Sequence, residues 1–271
     1  MTIKQKFDEL QAQGKKAFIA YIPYGFPTIK QTKDILLTLQ TCGVDIIELG
    51  IPFSDPVADG PVIQEAASIA LKNGANTKNL FVTVNKIKKD IKIPLALMTY
   101  YNPIFRFGVE KFFKSMNAAG VSGILTVDLP IDEAREYIKK AKKYKIETVF
   151  FITPVTPLSR AKKIIKATQG FIYYISVTGT TGVREIAYGS LANHIKQLKK
   201  ETALPICVGF GVHTKEQFAN IFKFSDGAII GSAIVKFIKE NHSKHDFLDK
   251  LKKYVKSLKP GDSQKTDNRV Q

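Results

Sequence analysis

The amino-acid sequence of 271 residues predicts a single (β/α)8 barrel, the fold class also called a TIM barrel. Eight short apolar segments, rich in β-branched residues, alternate with segments in which apolar residues recur at helical spacing. The apolar segments are nearly continuous in hydrophobic residues, as parallel strands covered on both faces are. No linker, internal repeat or low-complexity block interrupts the alternation. It extends over about 250 residues, which is the usual length of one closed barrel.

The eight predicted strands coincide with the apolar segments. They are Ala17–Ile22, Val44–Leu49, Pro94–Tyr100, Gly123–Val127, Glu147–Phe151, Phe171–Ser176, Pro205–Val208 and Gly227–Ile230. The segments between them have the spacing of amphipathic helices, for example at Ile35, Leu36 and Leu39. A doubly wound open sheet is the alternative fold, but it would leave two of the eight segments without a place.

Two further helices and a tail complete the predicted domain. An extra helix, Ile3–Gln11, precedes the first strand and could plug the bottom of the barrel. A short extra helix, Ala233–Glu240, follows the eighth strand. Residues 259–271 are polar and lack periodicity, which predicts a disordered tail behind a single catalytic domain of residues 1–258.

The composition excludes several protein classes. Hydrophobic residues make up 44% and charged residues 24%, so the chain can bury a core and is not disordered over most of its length. The longest apolar runs are far short of the ~20 residues that cross a bilayer, and the polar start Met1–Lys6 has no hydrophobic signal core. Cys42 and Cys207 both lie in apolar segments and are expected to be reduced. We therefore expect a cytoplasmic protein, or a plastid stromal one if the gene is organelle-encoded.

The net charge does not identify a partner. The chain has 41 basic and 24 acidic side chains, and 41 − 24 gives +17. Such a surplus favours nucleic acid or an acidic surface as a partner. The lysines, however, form helix-like runs such as residues 139–145 and 250–256, without the interleaved exposed aromatics of nucleic-acid grooves. We interpret them as the solvated faces of helices and predict neither a nucleic-acid nor a membrane partner.

Glycine-rich segments after three strands predict a phosphate site. Gly209-Phe210-Gly211 follows the seventh strand, and Gly231-Ser232 opens the helix after the eighth. Glycines let backbone N–H groups approach an anion, and the first helical turn adds unpaired donors. Thr178–Gly182, after the sixth strand, adds small donors beside the same place. No nucleotide-binding motif is present, so the phosphate would belong to a small substrate; the alternative is that these glycines only form tight turns.

Two carboxylates around the second strand are candidates for acid–base chemistry. Glu48 shares a strand face with Val44 and Ile46, which places its carboxyl group at the top of an apolar face. Such an environment raises the pKa of a carboxyl group, whereas Asp59, on a Gly/Pro-rich loop, can stay ionised and accept a hydrogen bond. The alternative is a cap or turn role for Asp55 and Asp59, with Glu48 paired to a lysine.

Other candidates are weaker from the residues alone. Tyr173 lies on the sixth strand, where a core tyrosine is the more common outcome. His213 is expected to help start a helix. His242 and His245 are spaced to lie on one face of a helix, but no third ligand is nearby in the sequence, so no metal site is predicted.

Together these segments resemble the tryptophan synthase alpha subunit family over residues 3–258. The resemblance rests on six motifs: Glu48–Pro61, Met98–Pro103, Asp128–Pro130, Ser176–Gly182, Gly209–Gly211 and Gly231–Val235. The first motif is long and specific to the family, whereas phosphate-binding barrels as a class share only the last two.

The resemblance implies retro-aldol cleavage of indole-3-glycerol phosphate to indole and D-glyceraldehyde 3-phosphate. It implies that Glu48 protonates the indole ring carbon and helps deprotonate the side-chain hydroxyl, that Asp59 accepts the indole N–H, and that Tyr173 lies beside the bond that breaks. The implied indole pocket consists of Tyr21, Met98, Tyr100, Leu125 and Phe210. The implied phosphate contacts are Thr181, Gly182, Gly211, Gly231 and Ser232.

The resemblance also implies a partner. The family's alpha subunit needs no cofactor of its own and passes indole to a beta subunit, which carries pyridoxal phosphate, in an alpha2beta2 tetramer. The implied partner-facing loops lie near 55–59 and 178–185. Two alternatives stay open: a stand-alone lyase that releases free indole, and a non-catalytic phosphate-binding or nucleic-acid-binding barrel.

Overall fold

Eight parallel strands close into a barrel in the order of the chain. The computed structural model describes residues 1–176, 188–209 and 214–259. Each strand pairs with the next, and β8 pairs back onto β1, so the predicted (β/α)8 barrel is confirmed and the open sheet is excluded. The strands are β1 Ala17–Pro23, β2 Ile46–Gly50, β3 Leu95–Thr99, β4 Gly123–Thr126, β5 Glu147–Ile152, β6 Ile172–Ile175, β7 Ile206–Gly209 and β8 Gly227–Ile230.

The helices of the described residues surround the barrel. They are α1 Ile3–Ala12, α2 Thr32–Thr41, α3 Pro61–Lys72, α4 Thr77–Ile87, α5 Tyr101–Phe107, α6 Val109–Ala118, α7 Arg135–Lys143, α8 Leu158–Ala167, α9 Tyr188–Lys199, α10 Lys215–Phe222, α11 Ser232–Asn241 and α12 Phe247–Leu258, with a 3-10 turn at Ile131–Glu133. The predicted extra helices before β1 and after β8 are α1 and α11. Within these residues no helix is long and apolar enough to cross a membrane.

Two connections contain a second helix that the periodicity does not separate from the first. Between α3 and α4, Gly74 has a φ of 83° and Asn76 caps α4 with a reciprocal hydrogen-bond pair to Asn79. Between α5 and α6, Gly108 has a φ of 91°. The left-handed region favours glycine, so the chain can turn sharply at these two points and start a new helix.

The barrel interior is a core of its own, separate from the shell between strands and helices. Alternate strand residues point inward and pack together: Ala17, Ile19, Ile46, Ala96, Met98, Leu125, Val149, Phe171, Tyr173, Cys207 and Ile229. The intervening strand residues face the helices in a larger outer core. This alternation determines which side chains can reach the upper mouth of the barrel.

Helix α1 closes the lower end of the barrel, as predicted. The side chains of Ile3, Phe7 and Leu10 pack into the interior core. The Glu147 carboxylate at the start of β5 accepts hydrogen bonds from the backbone N–H of Ile3 at 2.5 Å and of Lys4 at 3.0 Å. Because the helix covers this end, the described residues leave the carboxyl ends of the strands as the open end of the barrel.

The predicted domain boundary agrees with the last helix, α12, which ends at Leu258. Apart from Lys259, the predicted tail lies outside the described residues. The division into a domain of residues 1–258 and a disordered tail therefore stays a prediction.

Candidate active site

The Glu48 carboxyl group lies inside the barrel near its open end. Glu48 is on β2, in register with Tyr21 on β1 and Ala96 on β3. Its side chain is fully buried, and neither carboxylate oxygen has a hydrogen-bond partner among the described residues. Within those residues it also forms no ion pair, so the structure gives no support to the alternative of a lysine partner. A buried polar group without partners is costly to the fold, and such groups are found where chemistry requires them.

Burial strongly favours the protonated form of this group. It raises the pKa of Glu48 from an ordinary 4.5 to about 8, and no cation among the described residues opposes the shift. At neutral pH the side chain therefore holds a proton that it can donate, and it can take a proton back once it is ionised.

Asp59 lies on the connection between β2 and α3 and is half-buried. Burial raises the pKa of its carboxyl group to about 6, and a hydrogen bond with the Tyr100 hydroxyl opposes that rise. The helix N-cap is Gly60, which excludes the predicted alternative of a cap role for Asp59. At neutral pH Asp59 is mostly ionised while Glu48 is mostly protonated, which is the division that acid–base chemistry needs.

Tyr21 on β1 and Tyr173 on β6 both lie near Glu48. Burial raises the pKa of both phenols well above the ordinary value, and the charges of Glu48 and Asp59 raise it further. Each phenol lies over a glycine on the next strand. A Cβ atom at Gly50 would be 2.3 Å from the Tyr21 hydroxyl oxygen, and one at Gly209 would be 2.3 Å from that of Tyr173. These two glycines thus make room for the aromatic walls of the site.

Apolar side chains complete the upper layer of the interior. Met98 and Leu125 belong to the interior core, as expected for members of a pocket. Three further side chains at this level were not predicted: Val127, Phe151 and Ile175 are partly buried and pack on the same core. Each comes two residues after an inward-facing strand residue. The alternation of side chains between the two faces of a strand is therefore the signal that could have found them.

The predicted phosphate site is described only in part. Gly231 is the N-cap of α11 and Ser232 its first residue, and no described side chain caps this helix. A Cβ at Gly231 would lie 3.2 Å from Cδ1 of Tyr21, so the start of α11 is next to a side chain that also flanks Glu48. The structure therefore brings the free N–H groups of α11 and the carboxyl group of Glu48 to the same mouth.

Several predicted residues lie outside the described ranges. They are Thr181, Gly182, Phe210, Gly211 and His213. Of the other histidines, His242 ends α11 and His245 precedes α12. Over residues 1–176, 188–209 and 214–259, no cluster of three His, Cys, Asp or Glu could hold a metal ion.

The Glu48 pKa predicts how stability depends on pH. The folded state holds the Glu48 proton up to about pH 8, whereas the unfolded chain releases it near 4.5. Folding therefore loses stability as pH rises between these values, by on the order of 5 kcal/mol in total. We expect Glu48→Met to remove this loss, so the difference in free energy of unfolding between Glu48→Met and wild type should grow with pH. Urea denaturation at pH 5, 6.5 and 8 measures it.

Glu48→Gln is the control for this experiment, since it keeps the shape and polarity of the side chain but cannot titrate. It should show the same growing difference from wild type, displaced by a constant. A difference that stays flat with pH in both variants would contradict the assigned Glu48 pKa.

Comparisons with known proteins agree on one family. A family model described as "Tryptophan synthase alpha chain" matches residues 7–262. The chain is 41% identical over 248 residues to the tryptophan synthase alpha chain of Petrotoga mobilis, covering 91% of this chain and 96% of that protein. Tryptophan synthase subunit alpha from Legionella pneumophila matches in structure with a TM-score of 0.87 and 33% identity, over 95% of this chain and 97% of that chain. A tryptophan synthase structure from M. tuberculosis matches with a TM-score of 0.84 and 30% identity, over 94% of this chain and 97% of that chain.

Proposed function

The chain belongs to the tryptophan synthase alpha chain family and is thus an enzyme subunit, and we propose that it cleaves indole-3-glycerol phosphate to indole and D-glyceraldehyde 3-phosphate. This reaction is a carbon–carbon lyase step. The observation that carries the proposal is the Glu48 carboxyl group, fully buried, unpartnered among the described residues and protonated at neutral pH at the mouth of the barrel.

In the proposed reaction Glu48 acts first as an acid and then as a base. Its proton passes to C3 of the indole ring, which becomes tetrahedral and leaves the ring nitrogen positively charged. The side-chain hydroxyl then loses its proton to the Glu48 carboxylate and becomes the aldehyde. The electron pair of the breaking C–C bond returns to the ring, which restores the aromatic indole. Glu48 ends protonated, as it began, so no net proton is consumed.

Asp59 is proposed to stabilise the charge that develops on the ring. Its mostly ionised carboxylate lies near Tyr21 and Tyr173, the same two phenols on which Glu48 acts, since its charge raises the pKa of both. An anion that accepts the indole N–H stabilises the positively charged intermediate more than the neutral substrate, which is what accelerates a reaction.

We propose that the upper interior holds the indole ring and that the start of α11 holds the phosphate. Tyr21, Met98 and Leu125 would contact the ring, together with Val127, Phe151 and Ile175. Tyr173 would lie beside the scissile bond, and Gly231 and Ser232 would donate to the phosphate. Tyr100 and Phe210 as pocket walls, and Thr181, Gly182 and Gly211 as phosphate contacts, are proposed from the resemblance alone.

We propose a tryptophan synthase beta subunit as the partner, in an alpha2beta2 tetramer whose pyridoxal phosphate is carried by the beta subunit. Exposed apolar side chains support a protein contact at the open end of the barrel: Val57, Phe105, Val155 and Leu158 follow the carboxyl ends of β2, β3 and β5. The M. tuberculosis neighbour is a tryptophan synthase structure. The stand-alone lyase is not favoured, and a cytoplasmic or plastid location stays a prediction.

An indole-release assay tests the function. The purified chain is incubated with indole-3-glycerol phosphate, with and without a tryptophan synthase beta subunit, and gel filtration follows the complex. We expect slow cleavage by the chain alone, a severalfold or larger increase with the beta subunit, and co-elution of the two. Full activity alone that the beta subunit leaves unchanged would favour the stand-alone lyase. Absence of cleavage, with salt-dependent nucleic-acid binding instead, would overturn the proposed function.

A further inference from the structure

We propose that the Tyr100 hydroxyl is a positioning group for Asp59, fixing the Asp59 carboxylate at the mouth of the barrel by joining the β2–α3 connection to the end of β3. This inference rests on the proposed function and assigns the Tyr100 hydroxyl a role in it. The resemblance assigns Tyr100 to the wall of the indole pocket, which concerns its ring. The hydroxyl has contacts of its own, and these carry the inference.

The Tyr100 hydroxyl bridges two consecutive residues of the connection. Tyr100 is the N-cap residue of α5, directly after β3, and is 4% exposed. Its oxygen accepts a hydrogen bond from the backbone N–H of Ala58 at 2.9 Å. The same hydroxyl lies beside the Asp59 carboxylate and lowers its pKa, and toward an ionised carboxylate it can only donate. One phenol thus fixes the backbone before Asp59 and faces the carboxylate itself.

A ring contact holds the connection at a second point. The Phe53 ring lies over the Tyr100 ring, with 5.3 Å between their centroids. Between these two anchors the connection is exposed, and Val57 is 86% exposed. The remaining bonds of Asp59 involve its backbone: its N–H donates to the Pro56 carbonyl, and its carbonyl accepts from Gln64. They hold the turn but do not involve the carboxylate.

The groups around Asp59 make this hydrogen bond important for its charge. Among the described residues, the titratable groups near Asp59 and Tyr100 are Tyr21 on β1, Tyr173 on β6 and the exposed Asp128 after β4, and Glu48 on β2 acts on the same two tyrosines. None of these is a cation. Burial raises the pKa of Asp59, and the Tyr100 hydrogen bond lowers it. Removing the hydroxyl should therefore make Asp59 harder to ionise and free to turn.

Tyr100→Phe tests the inference, with Tyr137→Phe as its matched control. Tyr137 is an equally buried tyrosine whose hydroxyl is also hydrogen-bonded, to Thr126 at 2.8 Å, but it lies on α7 outside the barrel. For wild type, kcat/KM should fall below about pH 6 as Asp59 gains a proton and above about pH 8 as Glu48 loses one. The substrate phosphate also titrates near pH 6, identically in every variant. Only differences between variants are therefore compared.

We expect Tyr100→Phe to move the acidic limb upward by about one pH unit, which lowers kcat/KM at pH 6 about fivefold, and to leave the alkaline limb in place. Tyr137→Phe should move neither limb. An acidic limb in Tyr100→Phe that coincides with that of Tyr137→Phe would overturn the inference.

A measurement on the free protein separates this inference from the proposed function. The chemical shift of the Asp59 carboxyl carbon is followed by NMR as pH changes, and its signal is assigned by comparison with Asp59→Asn. The Asp59 pKa obtained in this way should be higher in Tyr100→Phe than in wild type. If wild type does not cleave the substrate, the proposed function fails while the NMR comparison still decides the inference. If Tyr100→Phe does not fold, 3-fluorotyrosine at position 100 keeps the ring and donates more strongly. It should lower the pKa of Asp59, and an unchanged value would count against the inference.

Discussion

Glu48→Gln is expected to lower the rate of indole-3-glycerol phosphate cleavage by about 10³–10⁴-fold while the protein stays folded and binds substrate. Glutamine has the shape of the protonated carboxyl group but no acidic proton, so it cannot make C3 of the indole tetrahedral. It also cannot take the hydroxyl proton in the second half of the reaction. Because both steps depend on one group, no other described residue of the interior can replace it. Single-turnover indole release measures the loss.

The binding part of this prediction is measured separately. A non-cleavable analogue, an indole carrying a propyl phosphate, should bind Glu48→Gln within a fewfold of wild type in a calorimetric titration. Glu65→Gln is the control, since Glu65 is an exposed carboxylate on α3 paired with Lys239 on α11. Its rate should be that of wild type. Turnover by Glu48→Gln within tenfold of wild type would show that Glu48 is not the proton donor.

Gly50→Ala is expected to lower kcat/KM by about 100-fold through displacement of Tyr21. The new Cβ would lie 2.3 Å from the Tyr21 hydroxyl oxygen and 2.7 Å from Cζ, so the ring must move. On its other side the ring is near Gly231, where a Cβ position is 3.2 Å from Cδ1. The displaced ring therefore enters the space of the indole or disturbs the start of α11. Steady-state kinetics of the variant measures the effect.

Two further variants identify the cause of that loss. Gly189→Ala is the control, because no described atom lies within 4 Å of a Cβ at this helical position, and its activity should be unchanged. In a Tyr21→Leu background, Gly50→Ala should cost much less than it does in wild type, since the clash is gone. If the two losses simply add, the effect of Gly50→Ala does not pass through Tyr21.

The sequence predicts the barrel well because each strand carries its own signal. All eight apolar segments are strands in the structure, although some strand ends differ from the prediction. Tyr100, for example, is predicted to end a strand and instead is the N-cap residue of α5. The second helices at α4 and α6 are missed, because one glycine can divide a helical pattern without changing its period. Their signals are Gly74 with Asn76 and Gly108, which spacing alone does not interpret.

The sequence predicts some residues of the candidate site but not how they meet, for a physical reason. Local environment suffices to select Glu48, since an acid on an apolar strand face must become buried and lose its charge. The contact between Tyr100 and Asp59 joins residues 41 positions apart on two connections, and no periodicity predicts which side chains meet there. The inward-facing Phe151 and Ile175 fall between these cases, because they follow from strand parity only once the strand ends are known.

The position of α1 has a consequence for synthesis on the ribosome. This helix is made before every strand of the barrel, yet its place at the base of the barrel is formed by Gly123, Glu147 and Gly170, which are made much later. Synthesis proceeds at about 5–20 residues per second, so roughly ten to thirty seconds pass between the synthesis of this helix and that of the residues it packs against. Its apolar side chains are uncovered throughout that interval. A helix that leaves the exit tunnel before all eight strands is thus among the last elements that can pack.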